Sequence, residues 1–223
     1  MIDFQKYLSN LPPLHTWDGG NTWGTGGFKR KHLGPLIRYL RKNLPASPTI
    51  LETGAGNSTI SFLFLNPGRL ISIDPVSKLH EKIRAYCETN GISTRGLEAF
   101  AEQSEWALPI LASKMREGDG EVDFALIDGC HNWPSVFVDF YYCNHMLKKG
   151  GYIMLDDLQL HSVKELARLL SEQQQDFKLA LDLDKSLVFQ RVSESRNLPE
   201  WPRCNYILRK SKEYRQMSNW FAL

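Results

Sequence analysis

The chain has 223 residues, 42% of them hydrophobic and 23% charged, with 27 basic and 25 acidic side chains for a formal net charge of +2. That length supports one sizeable core, expected as a single domain over residues 1–223, and the near balance of charge makes no electrostatic case for a nucleic-acid or membrane partner. Cys87, Cys130, Cys143 and Cys204 form no CxxC pair or zinc spacing, no basic-then-apolar leader opens the sequence, and no apolar run approaches membrane-spanning length, so a reducing, cytoplasmic setting is expected.

In chain order, "LPPLHTWDGGNTWGTGG" (residues 11–27) is rich in Gly and Pro and carries Trp17 and Trp23. It reads as an extended segment that either folds over a site as a cover, with a tryptophan stacking on a ring, or packs on the sheet or a partner subunit. "FKRKH" (28–32) is a basic cluster of the kind that usually forms a solvated helix face. "HLGPLIRYLRKNL" then places Leu33, Leu36, Ile37, Leu40 and Leu44 on one helical face. Residues 1–48 thus form an N-terminal segment and helix ahead of a core at 49–192, and the polar tail 193–223, with Trp201, Trp220 and Phe221, takes no assignment.

From Thr49 short apolar runs alternate with helix-patterned stretches. The runs are "TILET", "RLISID", "VDFALID" and "GYIMLDD", with a weaker one at "GLEAFAE". Between them lie "STISFLFL", "SKLHEKIRAYCETN", "EWALPILASKMREG" and "SVFVDFYYCNHMLKKG". The last has a stripe of Val136, Phe140, Cys143 and Leu147, with Tyr141 and Tyr142 expected in the core, and ends in Lys148-Lys149-Gly150-Gly151 as a helix C-terminus prefers. This alternation predicts a parallel α/β sheet with helices on both faces. After "HSVKELARLLSEQQQ", the runs "FKLALDL" and "SLVFQRV" are joined by Asp184-Lys185, which suggests an antiparallel edge hairpin.

The stretch "ILETGAGNST" (50–59) sets a Gly-x-Gly turn after the first strand, where the backbone can approach a ligand. Thr59 stands where the dinucleotide fingerprint has its third glycine. Glu52 before the turn would repel a pyrophosphate but could pair with an ammonium, which points to S-adenosylmethionine, a ligand with an amino-acid end, a sulfonium and no phosphate. Asp74, closing "LISID", is placed to accept ribose hydroxyls.

Asp128 closes the fourth run, and Asp156 and Asp157 close the fifth. Adjacent parallel strands would bring these carboxylates to one sheet edge, where their mutual repulsion is relieved by Mg²⁺. His131 could then serve as general base toward an acceptor hydroxyl. The plainer readings are an N-cap for Asp156 or Asp157 and a backbone-bonded loop histidine. His161 is a polar alternative that more naturally begins a helix, and His15, His32, His80 and His145 have no partner in the sequence.

"LETGAGNST", "ISIDP" and "VDFALIDG" resemble, in order and spacing, the motifs of class I S-adenosylmethionine-dependent methyltransferases, over roughly residues 49–157. The resemblance implies a Rossmann-like, mostly parallel seven-stranded sheet with an antiparallel edge hairpin. It implies S-adenosylmethionine held by Glu52, Gly54, Gly56, Asp74 and Asp128, with "AEQSEWALP" supplying Gln103 and Ser104 beside the adenine and Trp106 nearby. Gln103 departs from the Asp or Glu common there. D-x-x-H followed by D-D is similar to the metal-dependent O-methyltransferases of macrolide sugars. Catechol-type relatives place Lys where this chain has His131 and Asn where it has Asp157. By that likeness Asp128, Asp156 and Asp157 are Mg²⁺ ligands, His131 is the base, and the acceptor is a small-molecule or sugar hydroxyl. A metal-independent methyltransferase, a nicotinamide-dependent oxidoreductase and a non-catalytic scaffold stand as alternatives, and a homodimer is left open.

Overall fold

A computed structural model of the chain describes residues 2–15 and 29–218. Trp17, Trp23, Trp220 and Phe221, on which the expected cover and part of the tail rest, lie outside them. Two helices, α1 (Phe4–Ser9) and α2 (Arg30–Asn43), precede β1 (Thr49–Thr53). The chain then alternates through α3 (Asn57–Leu63), β2 (Arg69–Ile73), α4 (Ser77–Asn90), β3 (Leu97–Phe100), α5 (Ser104–Arg116), β4 (Val122–Ile127) and α6 (Ser135–Met146). It continues through β5 (Leu147–Leu155), α7 (His161–Glu172), β6 (Phe177–Asp182) and β7 (Leu187–Arg191), and α8 (Asn205–Ser218) follows.

The strands form one seven-stranded sheet in the order β3-β2-β1-β4-β5-β7-β6. The first five are parallel, and β7 runs antiparallel to both β5 and β6. Side chains alternate across a strand, so two apolar layers result. Ile50, Leu70, Phe124, Leu126 and Met154 pack with α1 to α4 on one face. Leu51, Ile71, Ala125, Ile127, Ile153 and Leu155 pack with α5 to α7 on the other. Central strands apolar on both faces account for the unbroken "FALI" and "YIML" runs. Leu33, Leu36, Ile37 and Leu40 on α2 are fully buried, as their periodicity predicts. Among the described residues, no helix is long and apolar enough to cross a membrane.

Two local expectations are corrected, and part of the unassigned tail proves helical. Helix α6 stops at Met146, and Lys148-Lys149-Gly150 begins β5 instead of ending the helix. The buried Arg191 donates to the carbonyls of Asn144 (3.1 Å) and Leu147 and so fixes the junction, while Lys148 pairs with Asp123. Tyr141 lies on the outer side of α6 and is 55% exposed. The unassigned tail contains α8, docked on α7: Tyr206 donates to Glu165 (2.8 Å), and Arg209 pairs with Glu172 at 2.6 Å.

Candidate active site

The order of the strands reverses between β1 and β4, and ligands of such sheets sit outside the carboxyl ends at that point. A cavity of about 540 Å³ opens there. Three backbone bonds tie its floor together: Gly54 N–H donates to Ile73 O (2.8 Å), Asp128 N–H to Thr53 O (3.0 Å) and Asp156 N–H to Ile127 O (3.2 Å). Gly54 has φ +85°, and a Cβ on it would lie 2.2 Å from the Asp128 carbonyl oxygen. The turn after β1 can therefore lie against the end of β4 only as glycine.

Glu52 is fully buried and does not line the cavity. Its side chain sits on the α3 face of β1, where Thr59 Oγ1 (2.5 Å) and Ser72 Oγ (2.7 Å) donate to it. Burial pushes its carboxyl up to about 7, although these hydroxyls, with Ser58, pull the other way. Glu52, expected at the ammonium end of the cofactor, also has an internal role: it holds Thr59, whose Oγ1 in turn accepts the Gly56 N–H at 2.9 Å, while its Oε2 has no hydrogen-bond partner. A hydroxyl at position 59, in place of a third glycine, ties the turn to the strand beneath it.

Gly56 makes room for a residue that the sequence did not single out. A Cβ there would lie 2.6 Å from His15 Nε2, and His15 lines the cavity from the N-terminal segment. Burial lowers its pKa, with the nearby Asp74 carboxylate opposing. No periodicity marks a histidine in a Gly/Pro-rich stretch, so only the folded chain reveals this contact.

Asp74 lines the cavity and accepts the N–H groups of Ala55 (3.2 Å) and Val76 (2.8 Å). Gln103 and Ser104, at the start of α5, line the wall beside it, with Glu105 accepting from Ser135 Oγ at 2.7 Å. Trp106 is 67% exposed and outside the lining.

Asp128, His131, Asp156 and Asp157 line the same cavity. One ligand atom each from Asp128, His131 and Asp157 lies within 4.8 Å of the others. His131 Nε2 stands 3.6 Å from Asp128 Oδ1 and 4.0 Å from Asp157 Oδ2, buried and without a hydrogen bond. Burial lowers the His131 pKa, against the pull of Asp157 and Asp156. Burial and the facing carboxylates of Asp156 and Asp157 push Asp128 well above the usual carboxylate range. Asp156 continues the pleat of β5 inward, where it takes bonds from Ser186 Oγ and from Lys185 Nζ (2.7 Å). Asp157 has φ +64°, a conformation Asp tolerates better than most residues, and this reversal turns it toward Asp128 and His131. Neither aspartate caps α7, whose N-cap is Leu160, and His161 begins that helix. The tight group is therefore Asp128, His131 and Asp157, with Asp156 engaged in a buried ion pair. Lys185, which the sequence showed only as a hairpin residue, joins it by donating also to Asp157 Oδ1 at 3.1 Å.

Beneath Thr53 and Ser104 lies Asp139 on α6, fully buried with neither carboxylate oxygen hydrogen-bonded. Burial pushes its pKa up to about 6. The folded state then holds this proton more tightly than the unfolded chain does. The associated stability is full below the ordinary value of 3.8 and is lost as pH rises through about 6. Asp139→Asn is expected to stabilise the protein at pH 7 by about 1–3 kcal/mol, with the gain gone by pH 4. Urea unfolding of both proteins across that range measures it, and a gain that does not change with pH would refute the assignment.

A glycine turn at the switch point, an acidic residue closing the second strand and an antiparallel strand inserted at the sheet edge together define the class I methyltransferase fold. Residues 51–158 match the family described as a methyltransferase domain. The matched stretch runs from β1 to just past β5 and so takes in the glycine turn, Asp74 and the acidic cluster. No curated protein sequence matches it significantly. Its fold is shared with the O-methyltransferase TomG from Streptomyces achromogenes, involved in tomaymycin synthesis and solved with S-adenosylmethionine. The identity is 17% over 75% of this chain and 82% of TomG, with a TM-score of 0.61. An O-methyltransferase from Bacillus cereus in complex with S-adenosylhomocysteine is 16% identical over 75% and 83% of the two chains, TM-score 0.56. MycE from the mycinamycin biosynthetic pathway, solved with Mg and S-adenosylhomocysteine, is 15% identical over 75% of this chain and 52% of its own, TM-score 0.54.

Proposed function

We propose that the protein transfers the methyl group of S-adenosylmethionine to a hydroxyl of a small molecule, a sugar hydroxyl included, with the help of a divalent cation such as Mg²⁺. The observation that carries this reading is the single cavity in which the turn of Gly54, Asp74, Gln103 and Ser104 meets the cluster of Asp128, His131 and Asp157. The carboxylates of Asp128 and Asp157 suit an oxygen-seeking cation, and the His131 Nε2 that converges with them is buried without a partner, open to an acceptor hydroxyl.

In this reading Asp74 accepts the ribose hydroxyls, while Gln103 and Ser104 border the adenine. The Gly54 turn admits the methionine end, and His15 covers it from above Gly56. Asp128 and Asp157 hold the cation, with Asp156 behind them. When bound, the cation stabilises the developing oxyanion of the acceptor. His131, kept neutral by burial, takes the hydroxyl proton on Nε2. The cavity walls align the oxygen with the methyl carbon and exclude competing water.

Asp157→Ala is expected to abolish turnover that depends on added Mg²⁺ while leaving S-adenosylhomocysteine affinity within about threefold, since Asp157 follows β5, two strands away from the β1 turn. Equal activity of wild type and variant in EDTA would remove the metal from the mechanism. A second reading, metal-independent transfer, is favoured by Lys185, whose ammonium already bridges Asp156 and Asp157. It requires full activity after chelation.

A further inference from the structure

Lys185 belongs to no motif of the fold, yet its ammonium lies among the acidic residues of the cavity. It sits in the link between β6 and β7, where Asp184 has φ +72°. The backbone there is held on several sides. Lys185 N–H donates to Leu183 O (2.9 Å), Leu183 N–H to Ser186 O (2.9 Å), and Leu158 N–H to Lys185 O (2.9 Å). The last of these bonds joins the hairpin to the segment that carries Asp157. The side chain is thus launched from a fixed point toward Asp156 Oδ2 at 2.7 Å and Asp157 Oδ1 at 3.1 Å. Asp157 is shared: one oxygen meets Lys185, and the other faces His131 Nε2.

We propose that Lys185 is a tethered counter-cation that competes with the divalent cation for the Asp156–Asp157 pair and sets how tightly that cation is held. The proposal rests on the metal-assisted reading above. Three carboxylates crowded at the end of β4 and β5 repel one another in a largely buried setting. With the ammonium in place the cluster tolerates the absence of a metal, and unpaired buried carboxylates are avoided. The same positive charge repels an incoming cation and occupies an oxygen of Asp157 that it would otherwise draw on. The metal is consequently weakly held and exchangeable, and the hairpin, which belongs to neither the cofactor turn nor the helices, controls it.

The test is a calorimetric titration of MnCl₂ into metal-free full-length protein saturated with S-adenosylhomocysteine, for wild type, Lys185→Met, Lys185→Gln and Lys185→Arg. Binding of S-adenosylhomocysteine reports that each variant is folded. Both neutral variants are expected to bind Mn²⁺ about tenfold more tightly or better, because a unit charge a few ångströms from the ion is removed. Lys185→Arg is expected to stay within about threefold of wild type. Lys185→Gln keeps a hydrogen-bond donor toward the two aspartates and carries the comparison if the methionine variant does not fold. Mn²⁺ bound equally or more weakly by the neutral variants, with wild type binding normally, overturns the role of Lys185 and leaves the metal reading standing. Absence of Mn²⁺ binding in every protein overturns both.

Discussion

Alanine in place of His131 is expected to lower kcat by roughly 10²–10⁴-fold, the usual contribution of a positioned general base, with S-adenosylhomocysteine affinity within about threefold of wild type. Three observations make His131 the residue to test. Its Nε2 is buried without a hydrogen bond, it lines the cavity, and burial lowers its pKa so that the neutral, proton-accepting form prevails near pH 7. Ser162 Oγ donates to the His131 carbonyl and joins this loop to α7, which holds the ring in place. The same nitrogen could instead ligate the cation, and the two roles separate in one comparison. A base can be removed with metal affinity unchanged, whereas a ligand cannot. Saturation kinetics together with Mn²⁺ titration of His131→Ala decide it. A variant that loses only acceptor KM would show that His131 binds the substrate and does not activate it.

Gly54→Ala is expected to destabilise the protein by about 3 kcal/mol or more and to abolish cofactor binding in whatever fraction still folds. The new methyl would stand 2.2 Å from the Asp128 carbonyl oxygen and 2.8 Å from its carbon, both backbone atoms of a residue whose N–H is bonded to Thr53 O, so they cannot swing aside. The φ of +85° adds its own cost for any L side chain. Gly120→Ala is the matched control. Gly120 has φ +87° but nothing within 4 Å of the added Cβ, so only the backbone term, about 1 kcal/mol, should appear. Melting temperatures and S-adenosylhomocysteine titrations of the two variants isolate the steric term. Similar losses in both would mean that the turn after β1 yields more easily than its contacts with Asp128 imply.

Five of the site residues readable in sequence share one property: each lies at the end of an apolar run. Gly54, Asp74, Asp128, Asp156 and Asp157 follow β1, β2, β4 and β5, and parallel strands bring their ends to one edge whatever the packing of the helices. What could not be read is which way each side chain turns. Spacing alone puts Glu52 and Asp156 on an equal footing beside the ligand. The pleat of β1 sends Glu52 beneath α3 to Thr59 and Ser72, and that of β5 sends Asp156 to Ser186 and Lys185. Of the two only Asp156 lines the cavity, a difference set by pleat phase and not by spacing.

By itself the sequence determined the parallel sheet, its antiparallel edge, the glycine turn and the acidic strand ends, because hydrophobic period and turn chemistry are local. Only the tertiary structure brought His15 over Gly56 and Lys185 into the acidic cluster, and only it showed Asp139 under Thr53 and Ser104. Those residues come from an irregular N-terminal segment, a distant hairpin and a helix interior. Their positions depend on how remote segments pack against one another, and no local period records that.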